Sequence, residues 1–223
     1  DPTPPGPAVA TWLFDVNTDP DLIADGGLSG TNFGFDFNPS ADASGANSLR
    51  IVSNNGQNLA VNADTGDVFV ATDVAYGGGS PSPNIVGEAY TNSALGGSTI
   101  GTTQYAIDSG TDGLVLQAFN AGTLTPVGGL GFDTTADVGF EIIALNNGNN
   151  IAFATFDWTT TNDSNLVQIN LGTGAATDLG MIDGGLLVPN LTANPSLVEN
   201  QVPEPTTGLL SLMLTCGLLV RRR

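Results

Sequence analysis

Histidine and lysine are absent from this 223-residue chain, and cysteine occurs once, as Cys216. Those gaps remove whole classes of chemistry. Without His the chain has no imidazole base and lacks the usual ligand for zinc or iron. Without Lys there is no Schiff-base nucleophile. The one thiol sits in a C-terminal apolar run, so the body has no disulfide, thiolate metal site or thiol nucleophile. Positive charge is scarce as well. Arg50, Arg221, Arg222 and Arg223 are the four basic residues, against 22 acidic ones, and the formal charge is −18. Such a surface repels nucleic acid and anionic lipid and attracts divalent cations, so no nucleic-acid partner is expected. The chain is not a disordered polyanion, because 40% of its residues are hydrophobic and the apolar runs are periodic.

What is present is glycine, 30 residues of it, with short alternating runs broken by turn dipeptides, the pattern of an all-β chain. The Pro-rich segment 1–11 is expected to be irregular, and the body to run over 12–200. Four stretches repeat a strand, a polar turn and a second strand: LFDVNTDPDLIADGG from Leu13, LAVNADTGDVFVATD from Leu59, LVLQAFNAGTLTPVGG from Leu114 and LVQINLGTGAATDLG from Leu166. Before each of the last three lie two more strands, as in FGFDFNP from Phe33 followed by LRIVSNN from Leu49. The unit is thus four strands in about 50 residues, the size of a propeller blade. The expected fold is all-β: antiparallel β-propeller-like repeats, about three and a half four-stranded blades, with 12–27 as the half blade. Asn55-Gly56 and Asn147-Gly148 can supply the positive φ of tight hairpin turns. A propeller needs about four blades to close. Either 182–198 completes the first blade or the chain is N-terminally truncated, and truncation is the favoured expectation. A β-sandwich is the alternative fold.

Several carboxylates are candidate ligands. Asp36, Glu88 and Glu141 recur on the first strand of each unit, where a ring of them can bind a cation such as calcium or gather round a ligand. The bland alternative is that each caps a turn or accepts backbone N–H bonds from the neighbouring blade. Asp15, Asn17, Asp19 and Asp21 mimic the start of an EF-hand loop. Pro20 stands where that loop needs Gly, and Gly26 where it needs the bidentate Glu, so Asp15 and Asp19 read first as hairpin residues. Calcium stays open; no other cofactor is expected. Trp12, Tyr76, Tyr90, Phe156 and Trp158 are candidate stacking surfaces for sugars, or blade packing. Gly77-Gly78-Gly79 lacks the GK[ST] ending of a phosphate loop. No catalytic residue is identified.

GFDFNP (Gly34 to Pro39), LRIVSNNGQNLAVNADTG (Leu49 to Gly66), VGEAYTN (Val86 to Asn92), LVLQ (Leu114 to Gln117) and VGGLGFD (Val127 to Asp133) resemble domain-of-unknown-function family 4394 of exported bacterial proteins. The resemblance covers about Trp12 to Met181. It implies a small β-propeller with further repeats before this chain begins, and no assigned activity.

The C-terminus resembles a second known element. Val202, Pro203, Glu204 and Pro205 precede an apolar run at 206–220, and Arg221, Arg222 and Arg223 follow it. At about 1.5 Å per residue a helix of that length falls short of the ~30 Å hydrocarbon core, so it is a poor permanent anchor. The three-part order resembles the PEP-CTERM sorting signal. That resemblance implies transient residence in the inner membrane as a short transmembrane helix, then cleavage by an exosortase membrane protease and release to the cell surface or extracellular matrix. Cys216 reads as apolar filler, with lipidation the alternative. The expectation is an exported, non-catalytic surface or exopolysaccharide-associated protein. The alternative is a carboxylate-based, calcium-dependent hydrolase acting on polysaccharide.

Overall fold

The computed structural model describes residues 12–94, 97–145, 148–157, 163–182 and 186–193. The Pro-rich segment 1–11, Trp158, the sorting motif and the apolar run at 206–220 lie outside the described residues. Among the described residues no helix is long and apolar enough to cross a membrane.

The chain is mostly β, and its main sheets are antiparallel. β1 (Phe33–Phe37), β2 (Ser48–Ser53), β3 (Asn58–Asn62) and β4 (Val68–Val70) form the first sheet in chain order. A two-residue strand, β5 (Ala75–Tyr76), then pairs in parallel with the last strand of the second sheet. That sheet consists of β6 (Ile85–Tyr90), β7 (Gln104–Asp108), β8 (Gly113–Gln117) and β9 (Thr123–Gly129). The third contains β10 (Val138–Ala144), β11 (Asn150–Phe156), β12 (Asn165–Ile169) and β13 (Ala176–Met181). The three four-stranded units fall where the repeats place them, and β5 is an addition that two residues of sequence do not announce. Gly56 takes φ +99° in the β2–β3 turn, so of the Asn55-Gly56 pair only the glycine supplies a positive φ.

β6 is buried at all six positions, so both faces of the second sheet's first strand are covered, whereas Phe35, Phe37 and Phe69 of the first sheet are exposed. In β2, Leu49 and Ile51 point one way and Arg50 and Val52 the other, by the two-residue period of a strand. The first strands pack in series, β1 against β6 and β6 against β10. The main core joins the second and third sheets through Val86, Ile107, Leu114, Phe140, Ile142 and Phe156. A smaller cluster of Val52, Val74, Ile85, Ala106 and Val115 joins the first and second.

The segment 12–27 corrects the sequence reading. It is a 3₁₀ turn, Val16–Thr18, followed by helix α1, Pro20–Ala24, and not half a blade. Asp15 caps the first and Asp19 the second: the Asp19 Oδ1 accepts the N–H groups of Asp21 and Leu22 at 2.9 and 3.1 Å. Pro20 at the first helical position loses no hydrogen bond, and its fixed φ suits a helix start. Leu22 is then buried with Leu59, Val61 and Val68, with Phe14 and Val16 packed alongside. A second short helix, α2, Pro39–Asp42, follows β1 with Asn38 as its cap.

At the other end, 186–193 runs along the third sheet without regular secondary structure. The Ser164 N–H donates to the Leu186 carbonyl at 3.0 Å, and the Thr155 hydroxyl to that of Val188 at 2.6 Å.

Candidate functional site

The first strands meet around a cavity of about 280 Å³. Its wall is four short stretches: Phe33, Gly34 and Phe35 of β1; Val86, Gly87 and Glu88 of β6; Val138, Gly139 and Phe140 of β10; and Asn190, Leu191 and Thr192 of the C-terminal segment. A glycine stands at the centre of each strand triplet, and close approach explains it. A Cβ on Gly34 would lie 2.6 Å from the Gly87 carbonyl carbon; on Gly87, 3.0 Å from the Phe140 Cβ; on Gly139, 2.6 Å from the Leu191 nitrogen. Each glycine thus opens a slot that the next stretch fills, and Asn190 to Thr192 fill the last one as a first strand would.

Carboxylates lock two of these contacts. Asp36 Oδ2 accepts the Tyr90 N–H of β6 at 2.7 Å, while its Oδ1 accepts the N–H of Phe37. Glu141 does the same one place on: its Oε2 accepts the Ala193 N–H at 3.1 Å and its Oε1 that of Ile142. Loss of water pushes the Asp36 carboxyl up to about 7, helped by the charge of Glu141. Burial also raises Glu141, against the hydrogen bonds it accepts.

Glu88 breaks the sequence analogy. Asp36 and Glu141 lie two residues after their glycines, on the same face, whereas Glu88 directly follows Gly87 and points to the opposite face. It enters the Gly34 slot, where its Cγ would lie 2.8 Å from an added Cβ. Glu88 is 1% exposed. Its Oε2 accepts a hydrogen bond from Gln104 Nε2 at 2.7 Å, and its Oε1 has no partner. Burial pushes its carboxyl up to about 8, so it holds a proton at neutral pH.

Gln104 belongs to a buried network that the sequence does not announce. The Tyr90 hydroxyl donates to Gln104 Oε1 at 3.2 Å and accepts from Arg50 Nε at 3.3 Å. The other Arg50 nitrogens donate to Asn58 Oδ1 and Asn120 Oδ1 at 2.9 and 2.8 Å. Arg50 is 4% exposed and ties the first sheet to the second. Its rarity is the one signal that could have singled it out: it is the only basic residue before residue 221.

Among the remaining candidates, two cap turns and three are core aromatics. Asp15 and Asp19 cap turns, and the second Asp19 oxygen accepts the Val68 N–H at 3.0 Å, which holds its carboxyl below the ordinary range. Tyr76, Tyr90 and Phe156 are buried, and Tyr76 hydrogen-bonds to Asp108; Trp12 is exposed. Among the described residues no group of three or more acidic or thiol side chains is placed to hold a metal ion. The aromatic rings that line the cavity are Phe33, Phe35 and Phe140, none of which the sequence pattern separates from ordinary strand residues.

Three sheets in series, each built on an antiparallel run of four strands with β5 added in parallel to the second, define a mostly-β domain. The chain belongs to the family described as Domain of unknown function (DUF4394), whose model matches residues 8–192 and so includes the C-terminal segment that lines the cavity. No curated protein matches it.

Proposed function

We propose that this is an exported, non-catalytic surface or extracellular-matrix protein with a propeller-like body. The observation that carries the non-catalytic reading is the use made of Asp36 and Glu141. Each carboxylate is committed to a backbone N–H of the next stretch of chain, at 2.7 and 3.1 Å, the bonding of a structural joint. The propeller-like reading is supported by the serial slots at Gly34, Gly87 and Gly139. The packing of Asn190 and Leu191 into the Gly139 slot, as β6 packs into that of Gly34, supports the same reading.

Export rests on the tail. Val202 to Pro205, the run 206–220 and Arg221 to Arg223 form a sorting signal that holds the chain at the inner membrane until an exosortase cuts it. Exopolysaccharide or other surface proteins are the partners. In a host carrying an exosortase, the body should be released, and Glu204→Ala or loss of the three arginines should leave it in the membrane fraction. Equal release of both forms would end the sorting reading.

One observation favours the second reading, a polysaccharide-acting hydrolase. Asp36 and Glu88, with carboxyls at about 7 and about 8, are of the kind a general acid needs near neutral pH. Turnover on a panel of polysaccharides, abolished by Asp36→Asn or Glu88→Gln in a folded protein, would establish it over the non-catalytic one.

A further inference from the structure

We propose that the face of β1 turned away from β6, carried by Phe33, Phe35 and Phe37, docks an extended segment of a partner protein that presents a glycine to Phe35 and basic residues at its ends. The molecule contains the template for this contact. In β6 and β10 the residue after the glycine enters the slot of the strand before it: Glu88 lies in the Gly34 slot and Phe140 in that of Gly87. Glu88 and Phe140 are accordingly 1% and 7% exposed, and Tyr90 and Ile142, two positions further on, are both at 0%. β1 repeats the pattern, with Phe-Gly-Phe-Asp-Phe against Val-Gly-Phe-Glu-Ile in β10. Its Phe35 and Phe37 stand where Phe140 and Ile142 do, yet they are 55% and 45% exposed. β1 is a plug without a slot to receive it.

The open face continues a covered one. Phe35 and Phe37 pair with Ile51 and Leu49 of β2, which pair with Leu59 and Val61 of β3, so all six side chains share one face of the first sheet. Leu22, with Phe14 and Val16 alongside, packs on Leu59, Val61 and Val68 and leaves Phe35 and Phe37 outside that cluster. An exposed apolar face that continues a packed one marks an interaction site.

The slots also define the occupant. A Cβ on Gly87 would lie 3.0 Å from the Phe140 Cβ, so a segment that closes over Phe35 in the same way needs glycine at that point. Residues 190–193 show that a stretch outside any sheet can fill such a place, with the Ala193 N–H held by Glu141 at 3.1 Å. A second copy fits less well, because its Gly34, Gly87 and Gly139 slots are already filled and it brings the same charge of −18. Arg50 is the only base before residue 221 and is buried, so Lys or Arg at the ends of the partner segment are drawn to this surface.

This inference rests on the reading of a surface protein with protein partners, and its test on purified protein is independent of export. The probe is a synthetic peptide of the β6 sequence, Ile-Val-Gly-Glu-Ala-Tyr, with a lysine added at each end, titrated into the protein by NMR. The amides of β1 and those of Leu49 and Ile51 should shift. Valine in place of the peptide glycine should weaken binding about ten-fold, and so should Phe35→Ser, at an exposed position that leaves the fold intact. Glutamate in place of the two lysines should weaken it as well. No shift in β1, or equal binding of the glycine and valine peptides, would overturn the proposal. So would self-association in light scattering that Phe35→Ser abolishes, which gives the face to a second copy. Shielding of the β1 amides in the free protein that is lost on deletion of 1–11 would also overturn it, by giving the face to the chain's own start.

Discussion

The two junctions between sheets use the same geometry and different chemistry. Between the second and third, Val138 and Phe140 close over Gly87, and the centre of the contact is apolar, from Ile107 and Leu114 to Ile142 and Phe156, with neutral hydrogen bonds between Asn92 and Asn150 and between Ala176 and Leu130 at its edges. Between the first and second, Glu88 enters the Gly34 slot and a chain of hydrogen bonds runs from it through Gln104 and Tyr90 to Arg50. Apolar burial scales with area and is indifferent to pH. A buried cation with neutral partners holds only while every acceptor stays in place, and it sits beside acids whose protonation decides the local charge. The same slot therefore yields one joint that is strong and insensitive and another that is directional and proton-dependent.

The largest expected effect breaks the apolar joint. Phe140→Ala should cost about 3–5 kcal/mol and lower Tm by roughly 10 °C in thermal unfolding, at any pH from 5 to 9. Arg50→Met is next. Met fills much of the aliphatic volume but takes the donor from Asn120 Oδ1 and one of two partners from Asn58 Oδ1 and the Tyr90 hydroxyl, so a loss of about 2–3 kcal/mol is expected. A neutral or stabilised variant in urea unfolding would mean that the network does not hold the joint.

The third effect is the pH response. Glu88 and Asp36 bind protons more tightly folded than unfolded, with folded values of about 8 and about 7. Their contribution is complete below the ordinary carboxylate range and is lost as pH rises through that range to about 8. Each acid changes stability by at most about 1.4 kcal/mol per pH unit inside its window, so Tm should fall by a few degrees per unit. Glu88→Gln, which cannot ionise, should flatten that fall. A Tm that rises from pH 5 to 8 would contradict the sign. The smallest effect lies outside both joints: Asp19→Ala loses the α1 cap and the bond from Val68, and should lower the urea midpoint slightly without changing its slope.

How much of this was legible in the sequence varies with the range of the interaction. Strands such as LRIVS and VGFEIIA were readable because alternation and turn glycines are local. The same locality misled at DVNTDPDLIADGG. Its resemblance to the later hairpins masked an Asp-Pro-Asp start, which is a helix signal in its own right. The carboxylate spacing was readable but deceptive: Asp36, Glu88 and Glu141 recur evenly, yet their distance from the preceding glycine puts Glu88 on the other face. Residues 190–192 carry no period; the sequence offered 182–198 only as a completion of the first blade, and their place beside Gly139 of the third sheet came from the folded chain. Arg50 was conspicuous by rarity, but its partners Tyr90 and Asn120 lie 40 and 70 residues away.

Amide hydrogen exchange resolved along the chain tests the contrast between the joints most directly. Rates at pH 6 and pH 8.5, corrected for intrinsic exchange, should show protection falling in β1 to β3 and in β6, while β11 and β12 keep theirs. In Glu88→Gln the loss at β1 to β3 should shrink. Equal loss in all three sheets, or a loss confined to β11 and β12, would contradict the account of one proton-dependent joint and one apolar joint.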